Sequence, residues 1–511
     1  MSVIQVSRIR LIVLTFSISL GTLLISLDQF IANVSIPTIS GVLGISQNNG
    51  AWVITSFTIA SAISLPLVGW LSSLFGQRNV FCMSCLLFSV ASFLCGLANS
   101  FTLLLTFRVF QGLVSGALIP LSQTLLLLLY PSEKKGLAMG LWGLVVMGGP
   151  TVAPLIGGWI TENYGWEWIF YINVPIGTFA GLVTFFVLSP WESMKKNIPI
   201  DVVGILLIVM AVVSFQVMLD KGQDLDWWNS YFIRILVIAA IFCFCLFIPW
   251  ELFKKNPLLD LSFFKSRNFT LASIMISVAM LVIFGSCIVF PIWVQAQLGY
   301  TPFWSGLTLA PFGFLAIFLF PMMGIVQQVI DRRIWIAMGF LIFAGTFFWY
   351  SKLNPYVTYW DISLPRLLQG AGFAFLYVPL TTIAFTGIPS ERLHHAATLF
   401  SFVRILFLSF GISLSVTFWE RRESFYQSRF VEYMIPSNPA FVPYFERLRV
   451  LGLEGKTAAA FADQMVNIQA FTMSLLDLSL LASYICIGMM VLLFFFRSPK
   501  KAQGLAFKFE K

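Results

Sequence analysis

The chain has 511 residues, 58% of them hydrophobic and only 10% charged, with a mean hydropathy of +0.88. That balance lies outside the range of soluble globular domains, so a lipid bilayer is the expected solvent. The formal net charge of +9 calls for no nucleic acid, because basic joints facing anionic lipid are sufficient.

A bilayer core about 30 Å thick needs roughly 20 apolar residues per helix. In chain order such runs lie near 11–34, 50–74, 79–98, 102–129, 137–160, 167–189, 201–219, 231–252, 269–292, 303–326, 334–350, 359–386, 396–419 and 472–496. They number about fourteen and are apolar throughout, whereas barrel strands alternate over about ten residues. The predicted fold is therefore all-α. The first run follows Arg8 and Arg10, is too long for a signal-peptide core and lacks a cleavage site before Asp28 and Pro37, so it reads as a retained span. Basic residues fall in alternate joints, at Arg78, Lys134/Lys135, Lys195/Lys196, Lys254/Lys255/Lys265/Arg267, Arg332/Arg333 and Arg392. Both termini share that side, with Arg497, Lys500, Lys501, Lys508 and Lys511, which predicts cytoplasmic ends and an even span number. The seven cysteines lie within apolar runs, and the C-x-x-C of Cys82 and Cys85 has no second pair, so neither disulfides nor a metal is expected. His394 and His395, the only histidines, read as solvated in a cytoplasmic joint.

A repeat organises these runs. Arg108, Gln111 and Gly112 recur as Arg366, Gln369 and Gly370, 258 residues later, and Pro131, Ser132, Glu133 and Lys134 recur as Pro389, Ser390, Glu391 and Arg392 at the same offset. The offset equals eight spans, which fits two parallel six-helix bundles flanking an inserted helix pair. The predicted boundaries are 1–189, 190–268 and 269–511, the last part carrying a long external loop at 420–471. Such an arrangement places a substrate path between the bundles.

With these residues in view the chain resembles the major facilitator superfamily, and within it the fourteen-span drug:proton antiporters of the EmrB/QacA type, most of all the EmrB branch. Leu27-Asp28, Ile31, Asn33-Val34 and Pro37 are similar to that group's first-span signature, and Arg108, Gln111 and Gly112 to its R-x-x-Q-G motif. Gly149-Pro150, Pro154 and Gly157-Gly158 look like the glycine- and proline-rich antiporter motif. Trp166-Glu167-Trp168-Ile169-Phe170, leading to Asn173-Val174-Pro175-Ile176-Gly177, resembles a further subgroup stretch. One departure stands out: between the second and third spans Gly69, Leu71, Gly76 and Arg78 match the family, while Ser73 and Leu74 replace its Asp and Arg.

The resemblance implies proton-coupled multidrug efflux by a transporter, not an enzyme, without cofactor or metal. A carboxylate within a membrane helix costs about 2.5–3.5 kcal/mol on insertion scales, so Asp28 is expected to face the bundle interior with Arg108 as counter-charge and to carry the coupled proton. Asp477 is a second candidate for proton coupling or an interfacial ion pair. Asn33, Gln111, Arg366, Gln369, Phe373, Tyr377 and Arg404 are the candidate substrate contacts, and Gly149, Pro150, Pro154, Gly157 and Gly158 the candidate gating segment, where small residues permit close helix approach. The deep arginines suit neutral or weakly acidic amphiphiles better than quaternary ammonium ions. The EmrB likeness further implies a location in the bacterial inner membrane, a periplasmic adaptor (an EmrA-like membrane fusion protein) and a TolC-like outer-membrane channel, with 420–471 as the docking surface. The rival readings are a proton-coupled uptake or metabolite/fatty-acid carrier of the same fold, a non-transporting scaffold or receptor, which the buried Asp28 and Arg108 speak against, and an ATP-driven pump; Gly455-Lys456-Thr457 has Val450 where a phosphate loop needs a glycine, which excludes the pump.

Overall fold

A computed structural model of the chain describes residues 7–130, 135–188, 201–254, 257–327, 330–389, 392–435, 438–439 and 441–496. Helix α1 (Arg8–Leu43) begins where the Ser7 side chain accepts from the Arg10 N–H and ends at Gly44, whose φ of 65° favours glycine. Helices α2 (Gln47–Ser64) and α3 (Leu67–Phe75) form one span bent by 58° at Pro66, which has no N–H to continue the ladder. There follow α4 (Gln77–Gly96), α5 (Phe101–Ser115) with α6 (Leu118–Leu129), α7 (Lys135–Asn163), and α8 (Trp168–Tyr171) with α9 (Asn173–Val187). The next pair is α10 (Val202–Lys221) and α11 (Tyr231–Phe253). The chain continues with α12 (Arg267–Ala296), α13 (Pro302–Leu309) with α14 (Pro311–Val326), α15 (Arg332–Tyr350), α16 (Tyr359–Phe385), α17 (Leu393–Glu432), α18 (Phe441–Val450) and α19 (Lys456–Val491).

Twelve helices among the described residues are long and apolar enough to cross a membrane, and the bent α2–α3 pair makes a thirteenth. The 29-residue α7 packs along α1. The end at which α1 starts is the inner end below, and the opposite end the outer.

The repeat is visible as repeated helix crossings. Gly149 on α7 is pressed against Ser26 of α1, and Gly411 on α17 against Leu281 of α12. Gly112 on α5 lies against the Phe57 carbonyl of α2, and Gly370 on α16 against the Phe312 carbonyl of α14. A Cβ at any of these positions would collide with a neighbouring helix, so glycine sets the helix spacing in both bundles. The inserted pair packs chiefly on itself; α10 also touches α2 and α17, and α11 turns Phe232, Ile235, Ile238 and Phe242 outward to lipid.

The bundles meet along α7 with α13 and α14, along α2 with α17, and along α1 with α12. The contacts lie in the middle and outer halves: Phe30 with Phe284 at 5.3 Å between ring centres, Gln295 Nε2 donating to the Val34 carbonyl (2.9 Å), and Gly158 against Pro302. At the inner end α3 and α6 pack on their own bundle.

One expectation changes. The stretch 420–471, expected as an external loop ending in a helix-like Thr457 to Ile468, carries more helix than that: α17 runs on to Glu432, α19 starts at Lys456, and α18 lies between them. At 40 residues α17 is about 60 Å long, twice the hydrocarbon thickness, so α17 and α19 project past the bilayer as an antiparallel pair. Gln427 Nε2 donates to Asn467 Oδ1 (2.8 Å) across this projection.

Candidate functional site

The deepest polar cluster lies inside the amino-terminal bundle. Asp28, in the middle of α1, and Arg108, two turns into α5, are both fully buried. Arg108 Nη1 donates to Asp28 Oδ2 (2.6 Å) and to Gln111 Oε1 (2.6 Å), while its Nε donates to the Val53 carbonyl on α2 (2.8 Å). The other carboxylate oxygen, Oδ1, accepts from Gln111 Nε2 (3.0 Å) and from Asn173 Nδ2 on α9 (2.8 Å). Gln111 Nε2 also reaches Ser92 Oγ on α4 (2.6 Å). The guanidinium lies over the rings of Phe57 (4.3 Å) and Phe170 (5.4 Å). Five spans thus converge on one carboxylate. Arg108 Nη2 and Asn173 Oδ1 have no hydrogen-bond partner among the described residues, so the cluster keeps a free donor and a free acceptor.

The carboxy-terminal bundle repeats the cation without the acid. Arg366 Nη1 donates to Gln369 Oε1 (2.9 Å) and to Ser286 Oγ (3.2 Å), and Gln369 Nε2 donates to Thr346 Oγ1 (3.2 Å). The rings of Phe290 (4.8 Å) and Tyr350 (5.6 Å) flank the guanidinium. Ser286 stands where Asp28 stands in the first bundle, and among the described residues no carboxylate pairs with Arg366. Of the two arginines that the repeat places at this depth, only Arg108 has a carboxylate partner among the described residues.

The other predicted residues separate into groups. Asn33 lines a cavity of about 10 Å³ between the bundles with Phe30, Thr58, Phe284 and Ile288, and its Oδ1 is buried without a partner among the described residues. Phe373 is buried against Phe312, Phe320 and Tyr377. Arg404 donates to the Tyr377 hydroxyl. Gln111, Arg366 and Gln369 bond within their own bundles rather than lining that cavity. A Cβ on Gly157 would lie 2.7 Å from the Ile31 carbonyl oxygen and one on Gly158 2.5 Å from that of Pro302. Gly149 and Gly157 thus serve packing on α1, while Gly158 and the Pro154 carbonyl, pressed on Gly306, close the seam with α13. The Pro150 side chain lies outside the described residues. Asp477, partly exposed, accepts from Arg422 Nε (2.7 Å) and the Tyr426 hydroxyl (2.8 Å) at the base of the projection, away from the Asp28 cluster.

The family model described as Major Facilitator Superfamily matches residues 18–414. The chain belongs to the major facilitator superfamily. Within this superfamily it is 40% identical to the "Multidrug export protein EmrB" of Escherichia coli K12 over 97% of both chains, and 40% identical to that of Haemophilus influenzae over 96% of both. The "Fatty acid resistance protein FarB" of Neisseria gonorrhoeae is 37% identical, over 96% of this chain and 97% of its own. Among solved structures, a bacterial homolog of the human lysosomal transporter Spinster, inward-facing and unoccupied, superposes with a TM-score of 0.61 at 15% identity. That match covers 97% of this chain and all of the other, and it bears on the fold alone.

Two groups of this superfamily member escaped the sequence reading. Asn173 and Ser92 join the Asp28 cluster through side-chain contacts that no spacing reveals. Ser286 was within reach, because adding the repeat offset of 258 to Asp28 arrives at it.

Proposed function

We propose that this protein is a proton-driven secondary transporter that exports hydrophobic, neutral or weakly acidic compounds across the bacterial inner membrane, with both termini in the cytoplasm. The observation that carries the reading is the buried Asp28, held by Arg108, Gln111 and Asn173. Taking up or losing one proton at this carboxylate changes the charge of a site that ties five spans, so it biases how they pack. The two bundles, 1–189 and 269–511, rock against each other around the path lined by Asn33, and the pair within 190–268 is an insertion between them. Of the antiporter-like segment of α7, Gly158 and Pro154 lie at the seam that opens and closes, while Gly149 and Gly157 fix α7 on α1; Asp477 is another proton-binding candidate.

The uncompensated Arg366 and the Arg404–Tyr377 pair favour acidic and neutral amphiphiles over organic cations. Fatty acids fall in that class, in keeping with the name of the gonococcal relative. By analogy with the EmrB proteins, the helical projection of α17 to α19 docks a periplasmic adaptor that leads to an outer-membrane channel. The decisive experiment is proton release from everted vesicles on adding acidic, neutral and cationic hydrophobic compounds. The native protein releases protons with the first two classes and Asp28→Asn does not; equal release by both transfers the role to another carboxylate, Asp477 first.

A further inference from the structure

The inserted pair carries a second buried carboxylate that the cluster around Asp28 does not use. Asp220, at the outer end of α10, is 8% exposed and lies where α10 wedges between α2 of one bundle and α17 of the other. Thr55 Oγ1 of α2 donates to Asp220 Oδ2 (3.3 Å), and Gln216 Nε2 of α10 donates to both carboxylate oxygens (3.0 Å each) and to Ser413 Oγ of α17. Ser409 Oγ of α17 donates to Gln216 Oε1 (3.4 Å), and Thr58 Oγ1 of α2 donates to Ser409 Oγ (3.1 Å). Thr58 also lines the small cavity between the bundles. One unbroken chain of hydrogen bonds therefore runs from the central path, across the outer seam, to this carboxylate.

Its charged neighbours make no ion pair with it, although Lys221 acts on it from a distance. The ammonium of Lys221, next in sequence, is turned to Asn49 Oδ1 (2.7 Å) and Asp224 (2.9 Å). Helix α2 carries no charged residue, α17 presents Glu420 and Arg421 further out, and Arg234 of α11 lies over the Tyr231 ring (4.3 Å). Among the described residues Asp220 forms no salt bridge.

We infer that Asp220 is a further proton-binding site, distinct from Asp28 and Asp477, and that its charge state sets the strength of the outer seam, so that the inserted pair is a proton-sensitive latch between the bundles. The chemistry follows from the donors. An ionised carboxylate is acceptor-only and suits the Thr55 hydroxyl and the Gln216 amide, both of which donate to it. A proton arriving from the outer side replaces a charge-assisted bond by a neutral one of about half the strength and puts an O–H where the ring already supplies donors. Acid on the outer side then loosens the tie between α2 and α17 and favours opening outward, the direction a substrate leaves. The inference takes from the proposed function only that the bundles alternate, and it needs neither Asp28 nor any substrate.

The test reads seam opening directly. Ile288, buried on the wall of the cavity between the bundles, is replaced by Cys, and its alkylation by a membrane-impermeant maleimide is followed from outside in right-side-out vesicles at pH 5.5 and 7.5. Each rate is taken relative to the same chain carrying Asp220→Asn at the same pH, which cancels thiol ionisation. With Asp220 intact, labelling at pH 7.5 is expected about ten-fold below that of the neutral variant, a factor equivalent to about 1.4 kcal/mol, and to approach it at pH 5.5. Thr55→Val keeps the carboxylate but removes the donor from α2; it is expected to raise labelling at pH 7.5, and it stands in if Asp220→Asn does not accumulate. The latch is overturned if the two chains label alike at both values. It is also overturned if Asp28→Asn, and not Asp220→Asn, removes the pH dependence. Failure of proton release in the vesicle assay with the labelling pattern intact would count against the antiport reading and not against the latch.

Discussion

At the Asp28 carboxylate, donors from Arg108, Gln111 and Asn173 meet in a space closed to solvent, and each residue depends on the others. Removing one partner of a buried pair leaves the other charge stranded, at a cost of about 3–5 kcal/mol, whereas exposed pairs contribute about 0–1 kcal/mol. Arg108→Ala is therefore expected to lower the denaturation midpoint of the purified protein far more than Arg449→Ala, whose pair with Glu454 is exposed. Arg108→Lys keeps the charge but lacks the planar fork that holds Val53, Gln111 and Asp28 together, so it should fall between the two. Equal midpoints for all three variants would show that the pair does not hold the bundle together. Much of this site is legible in the sequence, because a charge in an apolar run must find a partner and an arginine at helical depth is the obvious one. Asn173 and Ser92 are not legible, since their roles depend on which face of α9 and α4 meets α1 and α5.

At the scale of helices, the contrast among glycines is informative. Gly112 and Gly370 press on the carbonyls of Phe57 and Phe312, while Gly345 on α15 has open space where a Cβ would go. Overpacking costs about 1–3 kcal/mol, and replacing Gly by Ala inside an unobstructed helix gains up to about 1 kcal/mol. Gly112→Ala and Gly370→Ala should thus lower the melting temperature in detergent, and Gly345→Ala should hold or raise it; three equal shifts would mean the crossings are not set by glycine. Between α11 and α12, burial alone would raise the carboxyl of Asp260, but bonds from Ser262 and the Arg392 guanidinium outweigh it and hold it below its ordinary value of 3.8. A depressed carboxyl stabilises the fold above its unfolded value and loses that contribution as pH falls through the lower folded value. Asp260→Asn should accordingly reduce the melting temperature at neutral pH and make little difference near the acid limit of folding. A penalty of the same size at both extremes would assign the residue a packing role only.

For the molecule as a whole, the projection formed by α17, α18 and α19 stands apart from the buried clusters, so the proposed adaptor docking can be tested apart from the proposed proton coupling. Replacing 434–455 by a short Gly-Ser linker leaves the seams, the Asp28 cluster and the Asp220 ring untouched. Substrate-induced proton release from vesicles is expected to persist in that variant, while resistance of whole cells to the same compounds falls to the level of cells lacking the transporter. Loss of both would tie the projection to the transport cycle; retention of both would remove the adaptor from it.

The spans and their grouping follow from hydropathy and the internal repeat alone. A helix exposed to hydrocarbon must satisfy its own backbone and present an apolar surface, so the runs predicted at 201–219, 231–252 and 334–350 end within about three residues of α10, α11 and α15. The shared offset of 258 likewise gave two bundles, because duplicated packing keeps the glycines and arginines that make it. What lies beyond a hydropathy threshold depends on how the helices pack. The run closed at 219 left Asp220 in a joint, yet packing of α10 between α2 and α17 buries it. The polar stretch after 419 reads as an external loop with a helix-like end at Thr457 to Ile468, yet α17 also runs on into it and pairs with α19 beyond the bilayer, where water tolerates polar faces and helix pairing replaces lipid contact. Hydropathy records the average surroundings of a segment, whereas partners are set by which faces meet, and that is a property of the folded chain.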